Sequence, residues 1–198
     1  KNIWIATSNG INCIDYKTKK ITRFYPKSIN KECTTNIINR LLKHSDGNVY
    51  AFCNRSVFKC SMNQTVETVF PDIAIPSPTY SVAQAPDKDI YIGTESNGLY
   101  IYSENWKLKK HVPIDGIIAT ILPDNNGDIW LGLDETGICL FNKNKQTFTW
   151  LHKDNTNLNN NSIRTFVSYG DSSILVGTFR GLNILNKKEL TITPANIN

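Results

Sequence analysis

Five copies of one short phrase recur along this chain of 198 residues, and this recurrence constrains the fold more than any other feature. The copies start at Ile3, Val49, Ile90, Ile129 and Ile174, so successive starts lie 46, 41, 39 and 45 residues apart. They read IWIATSNGINCI, VYAFCNRSVFKC, IYIGTESNGLYIY, IWLGLDETGICLF and ILVGTFRGLNIL. A period of about 40–45 residues with several short strands is typical of β-propeller blades. The spacing predicts an all-β protein, a β-propeller of five four-stranded blade repeats.

The fourth repeat shows most clearly how one unit is built. Its sequence predicts four strands, at Ile117–Leu122, Asp128–Leu133, Ile138–Asn142 and Gln146–Leu151. The first two are joined by Asp124–Gly127, whose residue types tolerate the positive φ angles of hairpin turns. No helical period extends beyond a single turn anywhere in the chain. Each unit is therefore predicted to be one antiparallel sheet.

The same order in the other repeats sets the predicted boundaries. The units span about residues 1–35, 36–78, 79–115, 116–160 and 161–198. In the second unit the innermost and outermost strands are predicted at 37–42 and 65–70, and in the fifth the last strand at 190–193. The first unit lacks an innermost strand, and residues 195–198 resemble the start of a further one. We therefore expect one propeller region that is a segment of a larger array.

Three positions in the phrase have structural explanations. Near the end of the second strand a small residue is expected to let neighbouring blades approach closely; these residues are Ala6, Gly93, Gly132 and Gly177. The next position offers a hydroxyl that can bind the following turn, in Thr7, Thr94 and Thr178. A large ring earlier in the strand is expected to fill the space between blades; these rings are Trp4, Tyr50, Tyr91 and Trp130.

Composition narrows the class of partner. The net charge of +5 comes from lysines that cluster between the third and fourth strands, which we interpret as a dispersed, solvated outer rim. Nucleic-acid binding needs a contiguous basic surface instead. No apolar run reaches the roughly 18 residues that a membrane span requires, so we expect no membrane contact by this segment.

Cysteine and histidine patterns predict no cofactor and no metal. The five cysteines have no metal-like spacing, and the three histidines fall in different repeats. Cys53 and Cys60 flank a tight turn but would pair with positions 56 and 49, so a bridge between them is disfavoured. Buried free thiols are the expectation.

The repeats resemble the two-component regulator propeller family, whose units follow a D-x-x-G-x-[IL]-W-[IL]-[GA]-T-x-x-G-[IL] phrase. Asp124–Ile138 is similar as DNNGDIWLGLDETGI, with Leu133 at the threonine position and one extra turn residue. The first, third and fifth units match the second half of the phrase. The second unit departs most, since Phe52, Cys53 and Ser56 replace the small residue, threonine and glycine. An asparagine ahead of the inner strand also fits, at Asn36 and Asn161.

This resemblance implies a function. In that family the propeller is typically the periplasmic sensor region of a membrane-anchored hybrid histidine kinase of gut Bacteroides-type bacteria. Such sensors respond to oligosaccharides and signal through a receptor dimer, so a small-molecule or oligosaccharide ligand and a homodimer are the implied partners. The kinase itself is not part of this sequence, and the segment is expected to be non-enzymatic.

Propellers bind ligands mostly at the mouth of the central channel, beside the turns between second and third strands. The candidate ligand-binding residues in those turns are Arg55, Glu95, Asp134, Phe179 and Arg180. Sugar recognition needs planar hydrogen-bonding groups beside an aromatic ring, and this set offers both. Two alternatives stay open: a lyase of the streptogramin-inactivating type, which would rely on histidine, and a protein-interaction scaffold.

Overall fold

The computed structural model describes residues 2–31, 33–69, 75 and 77–195, which form five antiparallel sheets in chain order. We call these sheets blades 1 to 5. Blade 1 comprises β1 (Asn2–Thr7), β2 (Gly10–Asp15) and β3 (Ile21–Phe24), and is followed by the one-turn helix α1 (Pro26–Ile29). Blade 2 comprises β4 (Arg40–Lys43), β5 (Val49–Cys53), β6 (Ser56–Cys60) and β7 (Val66–Thr68). Blade 3 comprises β8 (Thr79–Gln84), β9 (Ile90–Thr94), β10 (Leu99–Tyr102) and β11 (Leu108–Val112). Blade 4 comprises β12 (Ile118–Pro123), β13 (Asp128–Leu133), β14 (Gly137–Asn142) and β15 (Thr147–Leu151). Blade 5 comprises β16 (Ile163–Tyr169), β17 (Ser173–Thr178), β18 (Gly181–Asn186) and β19 (Ile192–Pro194).

This architecture confirms the predicted fold class, with four-stranded blades 2 to 5 and a three-stranded first blade. Three strand ends differ from the predicted ones by two residues or more. Strand β4 begins at Arg40 rather than 37, because the Ile38 amide donates to the Thr7 carbonyl of blade 1 instead. Strand β19 begins at Ile192 rather than 190, because Leu190 has φ +54° and belongs to the turn. Strand β7 spans only Val66–Thr68, and the predicted end at residue 70 lies outside the described residues.

The core lies between successive blades, and the recurring aromatic position contributes to each layer. Tyr91 packs in one cluster with Ile129 and Phe141 of blade 4, and Trp130 in the next with Ile174 and Val176 of blade 5. Tyr50 packs likewise against blade 3, and the partly buried Trp4 against blade 2. Each of blades 1 to 4 thus packs an aromatic ring against its successor, as the sequence predicted.

The recurring glycines have the predicted packing role at two blade interfaces. A Cβ added to Gly93 would lie 2.6 Å from Cγ2 of Ile118 in blade 4, and one added to Gly132 would lie 2.5 Å from Cγ2 of Ile163 in blade 5. Real Cβ atoms do not approach so closely, so neighbouring blades require glycine at these positions. At Gly177 the same test meets only Thr165 of its own blade.

The described residues form an open arc. No hydrogen bond or hydrophobic cluster among them joins blade 5 to blade 1. Val167 and Tyr169 of β16 are 54% and 56% exposed, although the equivalent strands of blades 3 and 4 are covered by a following blade. The outer face of β16 therefore presents apolar side chains to solvent.

The structure confirms the interpretation of the cysteines and corrects that of two lysines. All five cysteines are free and buried, as predicted, and Cys53 and Cys60 pair with Ser56 and Val49. The interpretation of the lysines as a solvated rim is wrong for Lys143 and Lys187. Lys143 pairs with Asp89 of blade 3 at 2.6 Å, and Lys187 with Asp124 of blade 4 at 3.0 Å. These ammonium groups join neighbouring blades because the turn between third and fourth strands lies beside the turn between first and second strands of the preceding blade.

Candidate functional site

The predicted site residues all lie in turns between the second and third strands of their blades. Arg55 lies between β5 and β6, Glu95 between β9 and β10, Asp134 between β13 and β14, and both Phe179 and Arg180 between β17 and β18. Because every blade has the same strand order, these turns share one end of the sheets. We call this end the mouth face, and the opposite end the base face. Ligand binding by these five residues stays a prediction.

Threonine side chains fix three of the mouth-face turns, as the sequence analysis expected. The Thr94 hydroxyl donates to the Gly98 carbonyl at 2.8 Å and accepts from the Asn97 amide at 3.0 Å. The hydroxyls of Thr7 and Thr178 make the equivalent pair of bonds in blades 1 and 5. The following glycine has positive φ, +71° at Gly98. These turns are therefore held in one conformation by their own sequence.

The links between blades are anchored to the same turns. The Asn161 side chain accepts from the Lys153 amide at 2.8 Å, while its carbonyl accepts from the Gly137 amide. Asn36 makes the same two bonds, with the amides of Lys27 and Gly10. This explains why an asparagine precedes the inner strand in these repeats. Turn and link together form a rigid rim around the mouth face.

The structure brings together two predicted residues through a third that sequence reasoning missed. Arg164 of β16 reaches back to blade 4 and donates to Oδ2 of Asp134 at 3.1 Å. Its guanidinium also lies 5.6 Å from the ring centre of Phe179, in cation–π range. The other oxygen of Asp134 is buried and has no hydrogen-bond partner among the described residues. Asp134, Arg164 and Phe179 form what we call the blade 4–5 mouth cluster.

A β-bulge places Arg164 at the mouth. In β16 the pairing with β17 shifts between Ile163 and Thr165, and the same shift occurs at Tyr80 in β8 and Ala119 in β12. A bulge re-aims the extra side chain out of the regular alternation. The sequence carries a signal for it: buried Ile163 and Phe166 are three residues apart, although strand alternation gives two.

The other predicted residues lie apart from this cluster. Arg55 is exposed and lines a cavity of about 310 Å³ with Cys33, Cys53 and Pro78. Glu95 and Arg180 are exposed, and their backbone amides bind the Pro78 carbonyl and the Thr178 hydroxyl. Within the described residues, no contact joins Arg55 or Glu95 to the blade 4–5 mouth cluster.

Two exposed aromatic side chains near the mouth face were also missed. Phe148 and Trp150 of β15, 42% and 36% exposed, line a cavity of about 360 Å³ with Asp115 and Thr136. Thr136 belongs to the same turn as Asp134, so this cavity continues from the mouth face onto the rim. Ligand sites typically combine such aromatic walls with a few polar groups. In the sequence, QTFTWL was interpreted only as an outer strand.

The three histidines lie in separate blades, and a buried cysteine lies beside the mouth face. His111 of blade 3 binds the Asn97 carbonyl at 2.7 Å, whereas His44 lies at the base face and His152 in blade 4. Burial first, and then the neighbouring Cys33, raise the pKa of Cys53 to about 12, so this thiol stays protonated. The described residues contain no group of three or more histidine, cysteine or acidic side chains that could hold a metal ion. None of their helices is long and apolar enough to cross a bilayer.

Comparisons with known proteins give the fold and a set of neighbours. No protein-family model matches this chain, and neither does any curated protein. Among solved structures, the extracellular domain assigned to the hybrid two-component system BT3049 of Bacteroides thetaiotaomicron is 24% identical, with a TM-score of 0.74. That of BT4673, from the same organism, is 15% identical with a TM-score of 0.78. Both alignments cover 100% of this chain, but only 27% and 30% of the neighbours.

A third neighbour is an enzyme. The catalytically inactive H270A virginiamycin B lyase of Staphylococcus aureus, solved with quinupristin, is 18% identical with a TM-score of 0.72, and the match covers 99% of this chain and 66% of the lyase. At these identities the similarities establish a β-propeller fold. The chain spans about three tenths of the length of the two extracellular domains.

Proposed function

We propose that this chain is a ligand-sensing propeller segment of an extracytoplasmic two-component sensor. The observation that carries the proposal is the match of its whole length to extracellular domains of two Bacteroides two-component systems. The repeat phrase of the sequence supports the same class independently. The parent protein would supply the histidine kinase and a periplasmic location.

The ligand we propose is an oligosaccharide bound at the mouth face. The blade 4–5 mouth cluster places a carboxylate, a guanidinium and an exposed aromatic ring side by side. The cavity at Trp150 adds a second aromatic wall within the same region. Planar hydrogen-bonding groups match sugar hydroxyls, and aromatic rings match the apolar faces of pyranose rings. Ligand binding would shift a receptor dimer only as far as it favours one receptor state over the other.

The lyase alternative shares the fold but gains no further observation. The three histidines belong to three different blades, and His44 lies at the opposite end from the mouth face. A protein-interaction scaffold is compatible with the exposed face of blade 5, but nothing on that face identifies a partner. We therefore retain the sensor proposal.

The test is a thermal-shift screen of this chain against plant and host oligosaccharides. A specific ligand at 100 times its Kd adds about 2.7 kcal/mol of stability, which raises the melting temperature measurably. Phe179→Ala should remove the shift without loss of fold, because this ring is 71% exposed. Met62→Ala, equally exposed but at the base face, is the matched control and should retain it. No shift with any sugar, in a sample that melts cooperatively, would contradict binding by these blades.

A further inference from the structure

The base face carries a cavity that the proposed sensing site does not use. It measures about 600 Å³ and lies in the groove between blades 2 and 3. The β4–β5 turn contributes His44 and Asp46, and the β10–β11 turn contributes Glu104 and Trp106. We call it the blade 2–3 groove. Comparison with the two equivalent grooves of the molecule shows what distinguishes it.

In those two grooves a lysine of the later blade reaches an aspartate of the earlier one. Lys143 of blade 4 binds Asp89 at 2.6 Å, and Lys187 of blade 5 binds Asp124 at 3.0 Å. Each lysine directly follows a residue, Asn142 or Asn186, whose side chain caps the turn by accepting from a backbone amide. An ammonium group therefore neutralises the acidic first turn at both interfaces.

The blade 2–3 groove has the opposite charge at that position. In the equivalent turn of blade 3 the capping residue is Ser103, whose hydroxyl accepts from the Lys107 amide at 3.2 Å. The residue that directly follows it is Glu104, which therefore occupies the position of Lys143 and Lys187. The Glu104 carboxylate accepts from the Ser45 hydroxyl at 2.7 Å and pairs with Lys88 of its own blade at 3.1 Å. The interface thus joins an acidic turn to a second acid, and Lys59, the one lysine among the described residues that line the cavity, pairs with Glu67 of its own blade at 3.7 Å rather than with either acid.

The carboxylate of Asp46 is left without a lysine or arginine partner among the described residues. It accepts from the Tyr50 hydroxyl and the Asn48 amide, both at 2.8 Å, and lies 3.0 Å from Nδ1 of His44. Burial opposes its ionisation, but these hydrogen bonds outweigh burial and hold the pKa of Asp46 at about 2. The Asp46 side chain is one-third exposed, so a fixed negative charge faces the cavity.

Aromatic rings and unsatisfied nitrogens form the wall beside that charge. Trp106 packs 4.7 Å from Tyr50 and 5.8 Å from His44, measured between ring centres. His44 and Trp106 are 4% and 8% exposed, and within the part of the chain that the structure describes neither Nε2 of His44 nor Nε1 of Trp106 has a hydrogen-bond partner. Buried polar atoms without partners are uncommon, and here both belong to rings that line a cavity.

We propose that the blade 2–3 groove binds a ligand carrying a primary ammonium group. The ammonium takes the place that lysine side chains fill in the neighbouring grooves, between Asp46 and Glu104. The rings of Trp106 and Tyr50 stabilise it by cation–π contact and cover its apolar part. A volume of about 600 Å³ accommodates more than an ammonium, so the rest of the ligand is as large as a sugar ring or a short alkyl chain. This site is independent of the mouth face.

Isothermal titration calorimetry with three probes tests the proposal: D-glucosamine, N-acetyl-D-glucosamine and n-butylamine. If glucosamine and butylamine each bind in separate titrations and N-acetylglucosamine does not, the groove is a general ammonium site, such as one for lysine side chains. Binding of glucosamine alone identifies an amino-sugar site. Equal binding of both sugars, or no binding by any probe, overturns the proposal, since neither outcome depends on the ammonium group.

Variants locate the binding. Glu104→Lys places an ammonium of the chain itself in the groove, and should weaken probe binding at least tenfold. Glu189→Lys makes the same charge change in the exposed turn of blade 5, and should leave the affinity unchanged. Glu104→Gln, which adds no bulk, gives a second measure should the lysine variant fold poorly, and should weaken binding severalfold. Equal affinity in the wild type and both Glu104 variants, with the fold verified by circular dichroism, would overturn the site.

Discussion

At the scale of single residues, the recurring glycines and rings show how little variation the blade interface allows. Gly93 and Gly132 sit where a neighbouring isoleucine leaves no room for a methyl group. Phe52 occupies the equivalent position in blade 2 and is completely buried in the cluster shared with blade 3. The repeat therefore tolerates a large side chain there only where the adjoining blade packs around it.

We expect Gly132→Ala to destabilise the chain by about 1–3 kcal/mol, because overpacking of a filled interface costs about that much. The new Cβ would lie 2.5 Å from Ile163 Cγ2 and 3.0 Å from its Cβ, and that branched side chain is fully buried. Urea unfolding followed by circular dichroism measures the difference.

Gly177→Ala is the matched control, since it changes the same repeat position in the last blade. Its Cβ meets closely only the Thr165 methyl of its own sheet, so we expect a cost well below that of Gly132→Ala. Equal losses in the two variants would show that the cost arises within the sheet rather than from contact between blades.

At the scale of elements, the turns of the mouth face are determined locally whereas the bulges are not. A threonine, a glycine and two hydrogen bonds fix the turn after β9, and all are visible in the sequence. The bulge in β16 forms because Ile163 and Phe166 are both buried in the core although they are three residues apart. The bulge in turn decides the direction in which the Arg164 side chain points. The turn residues were accordingly predicted, and Arg164 was not.

We expect Thr94→Val to cost about 1–3 kcal/mol, because the Asn97 amide loses its acceptor and the Gly98 carbonyl a donor at a fully buried site. Thr178→Val removes the same two bonds from a turn that solvent reaches, and should cost clearly less. Differential scanning calorimetry of both variants tests this order. A larger loss at Thr178 would contradict it.

At the scale of the whole molecule, carboxylates at the base face, some of which pair with lysines of the next blade, make the stability of the chain depend on pH. The pKa of Asp46 lies at about 2, as hydrogen bonds outweigh burial, and Asp87 beside Lys143 also has a lowered pKa. A carboxyl group whose pKa is lower in the folded chain stabilises it above about pH 4, and that contribution disappears as the pH falls towards 2. The net charge of +5 rises over the same range, which adds repulsion.

We therefore expect the urea midpoint to fall steeply between about pH 4 and pH 2. Asp46→Asn should be less stable than the wild type at pH 7, and the difference should shrink towards pH 2, where Asp46 is about half protonated in the folded chain. Unfolding at pH 7, 4, 3 and 2 measures this. A difference between the two proteins that does not change with pH would show that Asp46 acts through shape rather than charge.

The sequence by itself determined the blade architecture, since a phrase repeated five times carries its own strands, turns, small residues and rings. It also determined the end of the sheets on which Arg55, Glu95, Asp134, Phe179 and Arg180 lie, because turns in register must share an end. Only the tertiary structure decided which side chains meet across blade boundaries: Arg164 with Asp134, Lys143 with Asp89, and Glu104 with Ser45. The physical reason is that strands and turns form from neighbours in sequence, whereas these contacts join residues of separate sheets and depend on how closely the sheets pack.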